Sequence, residues 1–219
     1  MIIAIDGPAG AGKSTVSRLI AQKLGFLYID TGAMYRALTL KAIIEGIDAE
    51  DSAFLIEMAK RTQIDLKNEP DGSLKVLLDG KDVTCEIRQP RITKLVSDIA
   101  KLKEVREVML GLQRKLGKGR DSVLDGRDIG TVVFPDARHK FYIDAVFPVR
   151  AERRYKELKE IGQEITLKEV EDDLHNRDTI DSTREVAPLK KAEDAVYIDT
   201  TDIAIQQAVD KVLSYINNG

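Results

Sequence analysis

The chain has a single cysteine, Cys85, and only two histidines, His139 and His175. One thiol excludes an internal disulfide and every multi-cysteine zinc site, and the histidines lie far apart in sequence, with no nucleophile or metal partner nearby. Long apolar runs are missing too: no stretch approaches the roughly 20 residues of a membrane-spanning helix. Nor is there an excess of positive charge. Lys and Arg number 34 against 37 Asp and Glu, a net charge of −3, which argues against an extended nucleic-acid surface, since binding along a phosphate backbone calls for a strong basic surplus. Internal repeats and low-complexity tracts are absent. With no basic-then-apolar leader before the first strand, the expected location is the reducing cytoplasm. With no long apolar helix face left over once the core helices are counted, the expected state is a monomer. What is present, 43% apolar and 32% charged residues over 219 positions, suits one α/β domain or a core domain carrying a smaller insert.

The most informative segment is Gly7-Pro8-Ala9-Gly10-Ala11-Gly12-Lys13-Ser14. It completes the G-x-x-x-x-G-K-[ST] pattern and sits between the apolar run Ile2–Ile5 and a helical pattern opening at Thr15, the strand-loop-helix context the motif requires. Glycines let the backbone curl so that successive N–H groups point inward, and the following helix adds its positive dipole end to the same nest. The expected ligand is a nucleoside triphosphate held by residues Gly7 to Thr15. Lys13 would reach the β- and γ-phosphates, and the Ser14 hydroxyl would sit on a Mg²⁺ bridging them.

Helix and strand signals alternate through most of the chain, which predicts parallel strands joined by crossover helices. The first helix should run from Lys13 to Leu24 and stop at Gly25, followed by a short strand, Phe26 to Ile29. Asp30-Thr31 should cap a helix reaching Gly46, and another helical stretch spans Asp51 to Arg61. Between Gln63 and Val83 the pattern changes to alternation around Glu69-Pro70-Asp71-Gly72 and Asp79-Gly80, an antiparallel hairpin or small three-stranded sheet. Helices are predicted over 92–100 and 105–116. The core resumes with strands at Ser122–Leu124 and Lys140–Asp144, helices over 150–161 and 167–177 (the second opened by a Thr166-x-x-Glu169 capping box), a last strand at Ala195–Ile198 and a closing helix over 203–216.

An aspartate just after an apolar strand can hold the metal-water shell opposite a phosphate loop; Asp125 and Asp128 both qualify, and the sequence does not separate them. Arg36, Arg127, Arg177 and Arg184 all sit near strand ends or helix starts, where guanidinium forks can be aimed at one phosphate. Arg150, Arg153 and Arg154 share one side of a predicted helix and would close over the triphosphate together. His139 and His175 read as structural or surface residues, and Cys85 as a small buried apolar one.

Several segments together resemble the bacterial-type cytidylate kinase family: the phosphate loop; Asp30-Thr31-Gly32-Ala33-Met34-Tyr35-Arg36; the stretch Asp125-Gly126-Arg127-Asp128-Ile129-Gly130-Thr131-Val132-Val133-Phe134-Pro135; and Arg177-Asp178-x-x-Asp181-x-x-Arg184-x-x-Ala187-Pro188-Leu189. The resemblance implies a P-loop nucleoside monophosphate kinase fold of the α/β class: a five-stranded parallel sheet flanked by helices over residues 1–62 and 117–219, a small antiparallel acceptor-binding insert over 63–116, and a short lid over 150–166. It implies that Arg36, Arg127 and Arg184 grip the acceptor phosphate, that Ser97, Arg106 and Asp128 read the cytosine edge, and that Thr31, Arg177 and Asp181 contact the sugar. It further implies transfer of the ATP γ-phosphoryl group to CMP or dCMP; with Mg²⁺ as cofactor, Lys13, Arg127, Arg184 and Arg153 are the expected catalytic set, and Ser14 and Asp125 the expected metal residues, with Asp128 the alternative to Asp125. Position 31 carries threonine where many relatives are expected to have serine, which keeps the hydroxyl and adds a methyl group near the sugar.

Such chemistry needs no special base, because an acceptor phosphate oxygen is already a nucleophile near neutral pH. Two other readings compete. An adenylate- or shikimate-type kinase would share the loop and lack the cytosine-reading set. A nucleotide-dependent switch would need no second anionic substrate; the chain lacks an Asn-Lys-x-Asp guanine-reading motif and carries more arginines than one triphosphate uses.

Overall fold

The computed structural model describes residues 1–218. In chain order, β1 (Ile2–Asp6) leads into α1 (Lys13–Leu24), β2 (Leu27–Asp30), α2 (Thr31–Glu45) and α3 (Ser52–Arg61). There follow β3 (Ile64–Asn68), β4 (Leu74–Leu78), β5 (Lys81–Asp82), a single 3₁₀ turn (Glu86–Arg88), α4 (Pro90–Ala100) and α5 (Lys103–Gly117). The chain then returns through β6 (Ser122–Gly126), a π turn (Ile129–Val133), β7 (His139–Asp144), α6 (Phe147–Glu160), α7 (Leu167–Thr183), β8 (Val196–Asp199) and α8 (Ile205–Asn218).

Five strands pair in the order β2-β6-β1-β7-β8, every neighbour parallel. The central strand β1 is apolar on both faces up to Asp6, as a strand covered from both sides must be. On one face Met34, Leu38, Leu55, Met58, Ile92 and Met109 form the larger core; on the other, Ile3, Ile5, Ile20, Phe141, Val209 and Val212 form a second. Each parallel strand carries an aspartate at its carboxyl end: Asp6, Asp30, Asp125, Asp144 and Asp199. Ligands of open α/β sheets bind at that edge, where the strand order reverses beside β1.

The alternating segment forms a three-stranded antiparallel sheet, β3-β4-β5. Asp79 and Gly80 both have positive φ, 48° and 83°, the two-residue turn that matches strand twist. Val76 and Leu78 of this sheet pack into the larger core with α2, so the small sheet shares the main hydrophobic cluster. Cys85, expected to be buried, is exposed at the head of the 3₁₀ turn, where Val83 and Ile87 take the inward positions.

Helix ends follow the local chemistry. Gly25 and Gly46 close α1 and α2 with φ of 69° and 68°; Asp30 Oδ1 accepts from the Ala33 N–H at 2.7 Å, and Thr166 and Glu169 form the reciprocal capping box. Four helices, α4 to α7, are longer than the sequence predicts. α6 starts at Phe147 with Pro148 in its first turn, and α7 continues to Thr183 instead of fading at Arg177. Thr179, Ser182 and Thr183 are weak helix formers, but their hydroxyls donate back to the carbonyls of His175, Asp178 and Thr179. Tertiary ion pairs on Asp178 and Asp181 then hold the last turns. Among the described residues no helix is long and apolar enough to cross a membrane.

Candidate active site

The phosphate loop lies directly on its neighbours, which is why glycine is needed at two of its positions. A Cβ on Gly7 would fall 1.9 Å from the Ile143 carbonyl oxygen, and one on Gly10 would fall 2.8 Å from that of Arg150, both at positive φ. Lys13 opens α1 and is buried, its Nζ donating to the Pro8 carbonyl at 2.6 Å. Burial, seconded by the field of Arg127, pushes its ammonium pKa down to about 7.

Across the loop, Ser14 donates its hydroxyl to Asp125 Oδ2 at 2.7 Å, and Tyr28 donates to Asp125 Oδ1 at 2.9 Å. Burial and the nearby Asp30 raise the Asp125 carboxyl to about 6 against the pull of these hydrogen bonds. Asp128 has different company: its carboxylate is hydrogen-bonded to Arg106 Nη2 and lies 3.6 Å from Arg184 Nη2. The structure therefore separates the two carboxylates that the sequence could not, one facing the phosphate-loop hydroxyl and the other two guanidinium groups.

From Asp128 the charges alternate. Arg184 reaches Asp181 Oδ1 at 3.6 Å, and Asp181 Oδ2 accepts from Arg127 Nε at 2.7 Å. Burial opposes the charge on Asp181, but Arg127, Arg184 and Arg177 outweigh it and hold its carboxyl below the usual range. Arg184 Nε also donates to the Ala187 carbonyl at 2.8 Å, in a turn where Ala187 adopts φ of 51°. Arg36 pairs with Asp30 at 3.3 Å. Arg177 belongs to the same group and has no carboxylate within ion-pair distance among the described residues, while its Nε is buried without a hydrogen-bond partner. Burial, then the fields of Arg127, Arg36 and Arg154, pull its pKa down to about 10.

Arg106 stands behind Asp128, its guanidinium 5.4 Å from the Tyr35 ring centroid and its Nη1 donating to the Ala100 carbonyl at 3.1 Å. Ser97 lies buried on α4, the preceding helix. Thr31 opens α2 with its hydroxyl proton directed at the Asp125 carbonyl, 2.7 Å away.

The three arginines of α6 do not converge, contrary to the expectation from their spacing. Arg150 is buried, with Nη1 donating to the Ala9 carbonyl at 3.0 Å and to Asp178 at 2.6 Å, and Nε to the Ala145 carbonyl at 3.0 Å. It fastens α6 and α7 to the phosphate loop. Arg153 turns to Thr200, whose carbonyl and hydroxyl oxygens accept at 2.6 and 3.1 Å. Arg154, paired with Glu157 at 2.8 Å, is the member of the trio whose field reaches Arg177. A shared side of a helix covers about 100°, and over that arc the residues meet different neighbours.

Sequence reasoning passed over Asp6, Tyr28 and Asp30 as site residues. Tyr28 lies in a strand as an ordinary aromatic, and its contact with Asp125 comes from the parallel register of β2 and β6, in which Tyr28 sits opposite Val123. Asp30 was legible only as a helix cap. The histidines stay apart: His139 is buried at the start of β7, and His175 is exposed on α7 with its ring 6.2 Å from that of Phe147. Among the described residues no cluster of three or more His, Cys, Asp and Glu side chains forms a protein-only metal cage.

Comparison with known proteins bears on the whole chain. The family model for cytidylate kinase matches residues 3–218. The cytidylate kinase of Caldanaerobacter subterraneus subsp. tengcongensis is 50% identical over 98% of this chain and 93% of its own length. That of Desulforamulus reducens is 51% identical over 99% of this chain and 97% of its own. Among solved structures, an uncharacterized protein from Eubacterium ventriosum superposes with a TM-score of 0.55 at 13% identity, covering 100% of this chain and 99% of that one, a likeness of fold alone. Since the match runs from the first core strand to the closing helix, the chain belongs to the cytidylate kinase family.

Proposed function

We propose that the protein transfers the γ-phosphoryl group of ATP to CMP or dCMP, giving ADP and the corresponding diphosphate. Family membership supports the reaction, and one observation supports the place: Arg177, buried beside Arg127, Arg36 and Arg154, makes no ion pair among the described residues, and the carboxylate field acting on it, that of Asp181, is shared with Arg127 and Arg184. A phosphate group supplies the missing counter-charge. Arg36, Arg127 and Arg184 grip the acceptor phosphate, while Arg106, Asp128 and Ser97 face the base. Asp128, fixed by two guanidinium groups, presents a carboxylate edge suited to an exocyclic amine. Arg177 and Asp181 face the sugar, and Thr31, whose proton is already engaged, offers it an acceptor.

The donor side is read the same way. Residues Gly7 to Thr15 hold the ATP phosphates, with Lys13 brought to full charge by their negative field. The oxygen donors of Ser14 and Asp125, already 2.7 Å apart, fit Mg²⁺, a hard cation that takes one or two protein oxygens and completes its shell with water and phosphate. Bound there, Mg²⁺ would neutralise charge on the β- and γ-phosphate oxygens. Asp125 is the carboxylate we assign to it, because Asp128 is committed to Arg106 and Arg184. The remaining work belongs to the chain: Lys13 and the arginines align the acceptor oxygen with the γ-phosphorus and stabilise the charge that spreads in the transition state. The lid, residues 150–166, excludes water. Arg154 takes the lid position facing the transferred group, in place of Arg153.

The test is ADP release with ATP, Mg²⁺ and a panel of CMP, dCMP, UMP, AMP, GMP and shikimate. Release stimulated by CMP and dCMP supports the assignment; preference for another acceptor discards the base-reading set, and no acceptor-stimulated release discards the transferase reading. We also propose that the protein acts as a monomer and binds no nucleic acid.

A further inference from the structure

The scheme above leaves one buried carboxylate unused. Asp6 ends β1, immediately before the phosphate loop, and is only 4% exposed. Its Oδ1 accepts from the Ile129 N–H and its Oδ2 from the Gly130 N–H, each at 2.8 Å. These are the leading N–H groups of the π turn, which have no carbonyl partner within the turn, so a residue more than a hundred positions away caps it. The other end of the turn closes on Asp128, whose carbonyl accepts from the N–H groups of Val132 and Val133 at 2.9 and 3.1 Å. The fit is close at the cap itself: a Cβ on Gly130 would lie 3.4 Å from Asp6 Oδ2 and 3.2 Å from Lys140 Cδ. Asp128 is therefore fixed on its backbone side by a turn anchored to β1, and its carboxylate in turn holds Arg106 and Arg184.

We propose that Asp6 is a positioning residue for acceptor recognition, fixing Asp128 and its two arginines relative to the phosphate loop that begins one residue further on. The inference rests on the reading of Asp128 as a base-facing residue. Asp6 touches neither substrate in this scheme; it sets the distance between the donor nest and the group that discriminates the acceptor.

The test is equilibrium binding of CMP, UMP, AMP and a non-hydrolysable ATP analogue to the parent, Asp6→Asn, Asp128→Asn and the double variant. Asparagine keeps the shape of Asp6 and turns one acceptor into a donor facing an N–H. Asp6→Asn should weaken CMP about tenfold, the weight of one buried hydrogen bond. It should reduce the preference for CMP over UMP and AMP, and leave the ATP analogue within about twofold. In the double variant base preference should be no poorer than in Asp128→Asn alone, because the two act as one unit. Equal losses for CMP and the ATP analogue, an unaltered base preference, or additive effects in the double variant would each overturn the proposal and leave Asp6 a residue of stability alone. Should Asp6→Asn fail to fold, Gly130→Ala presses on the same contact without changing charge and carries the same expectations. A parent protein with no saturable CMP site would overturn the reading of the site itself, a result distinct from all of these.

Discussion

The side-chain amide of Asn68 pairs with both backbone groups of Tyr28, accepting from its N–H and donating to its carbonyl, each at 3.1 Å. Asn68 ends β3 in the small antiparallel sheet, and Tyr28 lies in β2, an edge strand of the parallel sheet. The amide thus stands in for one residue of a neighbouring strand, closing the edge and joining the two sheets beside the tyrosine that holds Asp125. Asn68→Ala should lower stability by about 1–2 kcal/mol, since a buried donor and acceptor lose their partners. For a chain of this size that is roughly a 2–8 °C fall in Tm by calorimetry. An unchanged Tm would mean water replaces the amide at no cost.

Lys13→Met should separate folding from function. Burial holds the Lys13 pKa near 7, against an ordinary value of 10.5, so its charge works against the unliganded fold increasingly as pH falls from 10.5 toward 7. The variant should therefore melt at or above the parent temperature at neutral pH, while kcat falls by a factor of at least ~10². Undiminished turnover would contradict the role given to Lys13.

Arg153 and Arg154 are neighbours in sequence with different surroundings, and their alanine variants should differ in kind. Arg154→Ala removes a positive charge from the field around Arg177 and should lower kcat about tenfold or more with little change in Tm. Arg153→Ala breaks two hydrogen bonds to Thr200, which itself donates to the Ala11 carbonyl at 3.1 Å. It should raise KM for ATP and lower Tm, with a smaller effect on kcat. Steady-state kinetics on the pair decides the matter, and the reverse pattern would return Arg153 to the catalytic set.

Asp6 should leave a mark on the pH dependence of stability. Its pKa is raised, chiefly by burial, from 3.8 to about 6. Between those values the folded chain keeps a proton that the unfolded chain has released, so this contribution favours folding at low pH and is withdrawn as pH rises through the window. The unfolding free energy of the parent relative to Asp6→Asn should therefore fall by up to about 3 kcal/mol between roughly pH 4 and 7. A difference that stays flat across denaturant titrations at these pH values would show that Asp6 does not titrate in this range.

The features legible in the sequence were those written in short-range chemistry. The phosphate loop, the glycine stops at positions 25 and 46, the Thr166 capping box and the Asp79-Gly80 turn are each specified within a few residues. The five-strand core follows from apolar runs separated by helical periods. What was hidden depends on partners distant in sequence. Asp6 reads as the polar end of a strand until β1 is seen to bring it under Ile129 and Gly130. Arg150, Arg153 and Arg154 read as one face until the phosphate loop, Thr200 and α7 divide them. The end of α7 is not legible because its hydroxyl and acidic residues have low helix propensity, which the ion pairs from Arg150 and Arg127 override.

The alternating series Arg106, Asp128, Arg184, Asp181 and Arg127, with Arg36 and Arg177 beside it, holds more guanidinium than carboxylate. In such a fold the substrate completes the charge balance, so recognition and conformational stability draw on one reservoir of repulsion. Simple oxyanions such as sulfate should then act as partial folding cofactors. Neutralising Arg177, which makes no ion pair among the described residues, would give a sturdier protein and a poorer enzyme, an opposition between durability and catalysis built into the arrangement of its charges.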